Sequence, residues 1–158
     1  MGLPWNQPYP VAWSNPVTLR VFAALPAAPA WDAAPTEQNV AFGKEVILTF
    51  SYTRGAVGGA FDFQVETSIF SVAALVPAGT SEWQVESLYA AGAVAAGVDS
   101  QSRIQREYQT YQATGAAQEA FVFGPIEIDG AERIRVSARE SGVPGTPGDL
   151  GIAMEVSA

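Results

Sequence analysis

Glu45-Val46-Ile47-Leu48-Thr49-Phe50-Ser51-Tyr52-Thr53-Arg54 is followed, after Gly55-Ala56-Val57-Gly58-Gly59, by Ala60-Phe61-Asp62-Phe63-Gln64-Val65-Glu66. In the first run Val46, Leu48, Phe50 and Tyr52 share one parity, and Ile47, Thr49 and Ser51 the other. In the second, Phe61, Phe63 and Val65 alternate with Asp62, Gln64 and Glu66. Side chains leave a strand on alternate faces, so each run reads as a strand with one buried face. The glycine-rich connection has three positions free to take positive φ, which predicts a hairpin with Phe50 and Phe63 in one core.

The same period continues outward. Val17 to Leu25, Thr36 to Phe42, Ser81 to Ala90, Ser102 to Tyr111, Gln118 to Phe123, Glu132 to Glu140 and Asp149 to Val156 are further strand candidates. In Glu132 to Glu140 the arginines Arg133, Arg135 and Arg139 alternate with Ile134, Val136 and Ala138. Gly142 to Gly148 contains two prolines and three glycines, and reads as a surface turn into a last strand with Leu150, Ile152, Met154 and Val156 inward. Helical signals are scarce: Ala90 to Val98 is alanine-rich, but Gly92 and Gly97 favour a loop. The long connections Pro26 to Pro35 and Ala90 to Gln101 suit strands that are neighbours in space and not in sequence. The expectation is an all-β, antiparallel β-sandwich, jelly-roll-like, formed as a single domain by residues 17–158.

Residues 1–16 are different. They carry four prolines and the aromatics Trp5, Tyr9 and Trp13. Proline fixes φ and biases the preceding residue toward extended backbone, so this is expected to be an extended arm. Its rings need cover, either on its own domain or on a neighbour.

Composition narrows function. The net charge of −8 repels phosphate, so no nucleic-acid partner is expected. No apolar run reaches membrane-spanning length, and no basic, apolar leader opens the chain, so no membrane partner and no signal peptide are expected. Charged residues make up 15%, below the roughly 25% usual for soluble domains, so much of the surface is neutral.

Chemistry has little to work with. There is no histidine and no cysteine, which removes the commonest general base and the usual thiolate and imidazole metal ligands. The carboxylate pairs that remain, Glu82 with Glu86 and Asp62 with Glu66, lie on strand faces opposite apolar neighbours, as solvated acids do. No calcium loop or phosphate-binding glycine loop occurs, and Asp129-Gly130 and Gly148-Asp149 read as turns. The expectation is a binding or assembly protein with no catalytic residues, no metal and no cofactor.

Two residue groups are candidates for recognition. The arginine row Arg133, Arg135, Arg139 either pairs with acids across the sheet, such as Glu66 or Glu107, or forms a docking stripe for an acidic partner. Trp31, Trp83 and Tyr89 either sit in the sandwich or line a sugar-binding face.

Tyr52-Thr53-Arg54-Gly55 with Gly58-Gly59, then Ala131-Glu132-Arg133-Ile134-Arg135-Val136 leading into Glu140-Ser141-Gly142-Val143-Pro144-Gly145-Thr146-Pro147-Gly148, resembles the small β-sandwich structural proteins of tailed bacteriophages. Among these it is most similar to capsid decoration proteins. The likeness covers residues 45–156 and is one of style. It implies a homotrimer on the outside of a virion, contacts to a major capsid protein, an arm reaching over neighbours, and synthesis in the host cytoplasm. The candidate interface is then Trp5, Tyr9, Trp13, Arg133, Arg135 and Arg139. The alternative is a carbohydrate-binding sandwich module of a fibre or receptor-binding protein.

Overall fold

A computed structural model describes residues 13–88, 107–142 and 145–158. Trp5, Tyr9, Tyr89, the whole Ala90 to Gln101 connection and the first half of the Ser102 to Tyr111 candidate lie outside the described residues. The strands are β1 (Val17–Ala24), β2 (Glu37–Asn39), β3 (Glu45–Thr53), β4 (Ala60–Ser68), β5 (Gln84–Val85), β6 (Gln109–Gln112), β7 (Glu119–Glu127), β8 (Arg133–Glu140) and β9 (Asp149–Ser157). One 3-10 turn, Ala73–Leu75, is the only helical element among the described residues.

The strands form two antiparallel sheets packed as a sandwich. Sheet A has the order β1-β9-β3-β7. Sheet B has the order β2-β8-β4-β5, with β6 pairing the other end of β4's free edge. β3 and β9 are in continuous register from Glu45↔Ser157 to Thr53↔Asp149. β4 and β8 run from Phe61↔Glu140 to Ser68↔Arg133.

The alternation of β3 survives without exception: Val46, Leu48, Phe50 and Tyr52 are buried and the residues between them are partly exposed. Phe50 lies 4.5 Å from Phe63 and 5.7 Å from Phe61, ring centroid to centroid, so β3 and β4 share one core as anticipated. Phe50 also stacks on Phe121 of β7 at 4.7 Å. Offset aromatic packing of this kind adds to the burial term.

The hairpin is a correction. β3 and β4 belong to different sheets, so Gly55 to Gly59 carries the chain across the sandwich. Within it only Gly58 takes a positive φ, at 83°. Gly59 is needed for space, because a Cβ there would stand 2.7 Å from the Arg54 Cβ. The inward rings of Phe50 and Phe63 meet across the core at a tilt of 46°, which side-by-side pairing of the two strands would not permit.

The short strands also differ from expectation. β2 is confined to three residues because the chain turns tightly at Val40–Gly43, where the Gly43 N–H donates to the Val40 carbonyl at 2.8 Å. β5 is only two residues long, since Glu82 and Trp83 leave the ladder to cover β8. On edge strand β7, Gly124 and Pro125 oppose the single residue Ile47, forming a bulge. Proline, lacking an N–H, is tolerated at such an edge.

Candidate interaction surface

The outward positions of β8 and β4 stand directly opposite one another: Arg139 with Asp62, Ser137 with Gln64, Arg135 with Glu66 and Arg133 with Ser68. Cross-strand neighbours on one face are close enough to pair, so the sequence alternation itself creates two ion pairs. The Arg135 Nε donates to Glu66 at 2.8 Å and its second nitrogen donates to the other carboxylate oxygen at 3.0 Å. The Arg139 Nε donates to Asp62 at 2.9 Å, and Asp62 also accepts from the Thr110 hydroxyl at 2.7 Å.

Arg133 faces Ser68 and finds its acids elsewhere. It donates to Glu37 on β2 and to Glu82, both at 2.6 Å, while its Nε donates to the Phe70 carbonyl at 2.7 Å. The hydrogen bond to Glu82 pushes the Arg133 guanidinium pKa up against the opposing effect of burial, and Glu37 adds to the rise.

Aromatic rings roof this lattice. Trp83 lies 4.2 Å from the Arg135 guanidinium carbon and 4.9 Å from that of Arg133. Trp31 covers Arg139 at 4.2 Å, with Tyr108 at 5.4 Å on it and edge-on to Trp31 at 5.9 Å. Planar guanidinium groups are well suited to such stacking. The arginine row is therefore enclosed by acids and rings of its own chain, with Glu66 among the partners expected and Asp62, not Glu107, holding Arg139.

Trp13 is half-buried and pairs with Ser157 beyond the end of β1. The Ser14 N–H donates to the Val156 carbonyl at 2.8 Å, and the Val156 N–H donates to the Ser14 hydroxyl at 2.9 Å. The root of the arm thus continues β1's pairing with β9 in its own domain, and the 16/17 boundary falls within that pairing.

Sheet A presents a different outer surface. One cross-strand row is Thr18, Ala153, Thr49 and Val122, and the next places Gly151, Ser51 and Ala120 side by side with Phe22 packed on Gly151. None of these residues is charged. Val21, Phe22 and Val122 are exposed. The lack of side-chain bulk at Gly151 and Ala153 leaves a groove of about 400 Å³ bordered by Val21, Phe22, Thr49 and Ser51. Arg20, at its margin, is held by Asp32 at 3.0 Å and by the carbonyls of Ala23, Ala24 and Leu150.

Sequence reasoning did not find Glu140, a fully buried carboxylate at the end of β8. It accepts from the Tyr52 hydroxyl at 3.1 Å and from the backbone N–H groups of Ala60 (3.1 Å), Gly142 (3.0 Å) and Gly148 (2.9 Å). Burial, then the charge and hydrogen bond of Glu140, hold the Tyr52 phenol pKa well above its ordinary value. The signal was its parity, since Glu140 continues the inward set Ile134, Val136, Ala138. Compared with protein-family models, curated proteins and solved structures, the chain finds no match in any of the three.

Proposed function

We propose that the protein is a non-enzymatic virion structural protein that decorates and stabilises a phage capsid through contacts with its own copies and with a major capsid protein. The observation that carries this reading is the uncharged centre of the outer face of sheet A, the rows through Thr49 and Ser51, on a chain whose net charge is −8. Two such chains repel at long range, and a neutral face is where they can meet without burying unpaired charge. The strand order supports the reading too: successive strands change sheet from β1 to β4 and again from β7 to β9, which we read as a jelly-roll winding.

The acids that a carboxylate hydrolase would need are otherwise engaged. Asp62, Glu66 and Glu82 pair with arginines, and Glu86 accepts from the Thr67 hydroxyl. The carbohydrate-binding alternative relies on Trp31 and Trp83, each of which already has a guanidinium stacked on its ring. The deciding experiment mixes the purified chain with assembled shells, and separately with free subunits, of a tailed-phage major capsid protein. Binding to shells alone, with a higher shell melting midpoint, is expected, because a ligand of the assembled state stabilises it by mass action. A monomer that ignores shells and is retained on immobilised polysaccharide would replace this reading with the carbohydrate-binding one.

A further inference from the structure

Phe42 has the highest exposure of the large apolar side chains, at 98%, and is the only non-glycine with positive φ, 69°, among the described residues. A bulky residue is strained in that region, where Asn or Gly is at ease. The conformation is imposed from both sides. The Ala41 N–H donates to the Asn39 side-chain oxygen at 3.0 Å, and the Val40 N–H donates to the Glu132 carbonyl at 2.9 Å. Gly43 packs so closely that a Cβ there would stand 2.6 Å from the Val156 side chain, and the Lys44 N–H donates to the Ser157 carbonyl at 3.0 Å. The turn is thus locked and leaves a phenyl ring exposed, with both strain and apolar exposure unrewarded among the described residues. Strain that persists without local return points to function.

We infer that Phe42 is an anchor that inserts into the groove over β1, β9 and β3 of a second copy of this chain. The inference rests on the self-association in the proposed function and names its contact. The groove is the complementary feature: its walls are the apolar Val21 and Phe22, its floor is Gly151 and Ala153, and its margin cation is already satisfied. Charge favours the same pairing. Lys44, exposed and two residues from the ring, brings a positive flank, and on β9 the outward sequence Asp149, Gly151, Ala153, Glu155 bounds the groove with an acid at each end. Knob and groove occupy different parts of the surface. The contact is therefore head-to-tail, and it closes into a ring when the rotation between copies permits.

Sedimentation velocity on the full chain tests this with two variants. Phe42→Asn removes the ring and relieves the backbone; Ala153→Trp fills the groove from the outer face. Each is expected to weaken self-association at least tenfold. Phe42→Asn should also hold or raise the denaturant midpoint measured below the association range, which separates loss of contact from loss of fold. An equimolar mixture should regain a dimer and nothing larger, because each variant retains the half that the other lacks. A monomeric wild type, unchanged association in either variant, or no dimer in the mixture would overturn the inference. Shell binding measured in parallel keeps the two claims apart. Shell binding by a chain that does not self-associate leaves the decoration reading standing, whereas Phe42-dependent association without shell binding leaves only this contact.

Discussion

Across β4 and β8 the outer face sets Asp62 against Arg139 and Glu66 against Arg135, then covers both pairs with Trp31, Tyr108 and Trp83. Across β1, β9, β3 and β7 the corresponding positions are Thr18, Ala153, Thr49 and Val122, and the groove among them lies open. Both faces come from the same alternation of inward and outward residues. The charged face is finished by loops of its own chain, so its arginines are committed to the fold. Among the described residues the neutral face has no such roof. Residue type at outward positions is thus a poor guide to which surface is left uncovered: the one that reads as recognition chemistry is closed by its own chain, and the one that reads as filler is open.

Four measurements would sharpen or break this contrast. Arg139→Ala should cost about 3 kcal/mol in urea unfolding, because it leaves the Asp62 carboxylate, with 5% side-chain exposure, without its cation. A loss below about 0.5 kcal/mol would mean the pair behaves as an ordinary surface bridge. Trp83→Ala should cost about 2 kcal/mol by unroofing Arg133 and Arg135, with the emission of Trp83 lost from the fluorescence spectrum as a check on the substitution.

The third concerns the seam between the sheets, where the Tyr111 hydroxyl of β6 donates to Glu119 of β7 at 2.6 Å. Burial alone would raise the Glu119 pKa, but the hydrogen bonds from Thr114, Tyr111 and Gly115 outweigh it and hold the carboxyl below its usual range. Its contribution to stability is present above the unfolded carboxylate pKa and is lost as pH falls through the lower folded value. Burial and the same hydrogen bond push Tyr111 up to about 12, so its contribution is full below the ordinary value of 10.0 and fades as pH rises through about 12. Glu119→Gln should flatten the acid limb of the stability profile and shift the alkaline one downward. The smallest effect is expected for Thr49→Val on the open face, within about 0.5 kcal/mol for the isolated chain.

How much of this the sequence carried depends on the range of each signal. The parity of Glu45 to Thr53 specified a strand and its inward residues, because that information is local. Pairing is not local: Gly55 to Gly59 suits a hairpin as well as a crossing between sheets, and only the fit of Phe50 against Phe63 across the core distinguishes them. Glu66 was a foreseeable partner for Arg135 because both lie on outward parities of long strands. The Trp31 and Trp83 roof was not foreseeable, since both rings are placed by irregular segments with no period to read. Glu140 was legible in principle, because it continues the inward parity of Ile134, Val136 and Ala138, but its partners Tyr52 and Ala60 are brought to it only by the packing of distant segments.

The position of β9 has a consequence for how the chain is made. It is the last of the described strands, yet it lies between β1 and β3 in sheet A, and among the described residues it is the only strand that pairs β1. Until residues 149–157 have left the ribosome, β1 lacks the neighbour it pairs with here and β3 lacks one of its two partners. Local contacts reward folding early and distant ones late, so sheet A must close after synthesis of nearly all its residues. Shortening the chain by one strand at this end would remove the middle of a sheet and leave β1 adrift, whereas losing an edge strand would leave the rest of its sheet joined.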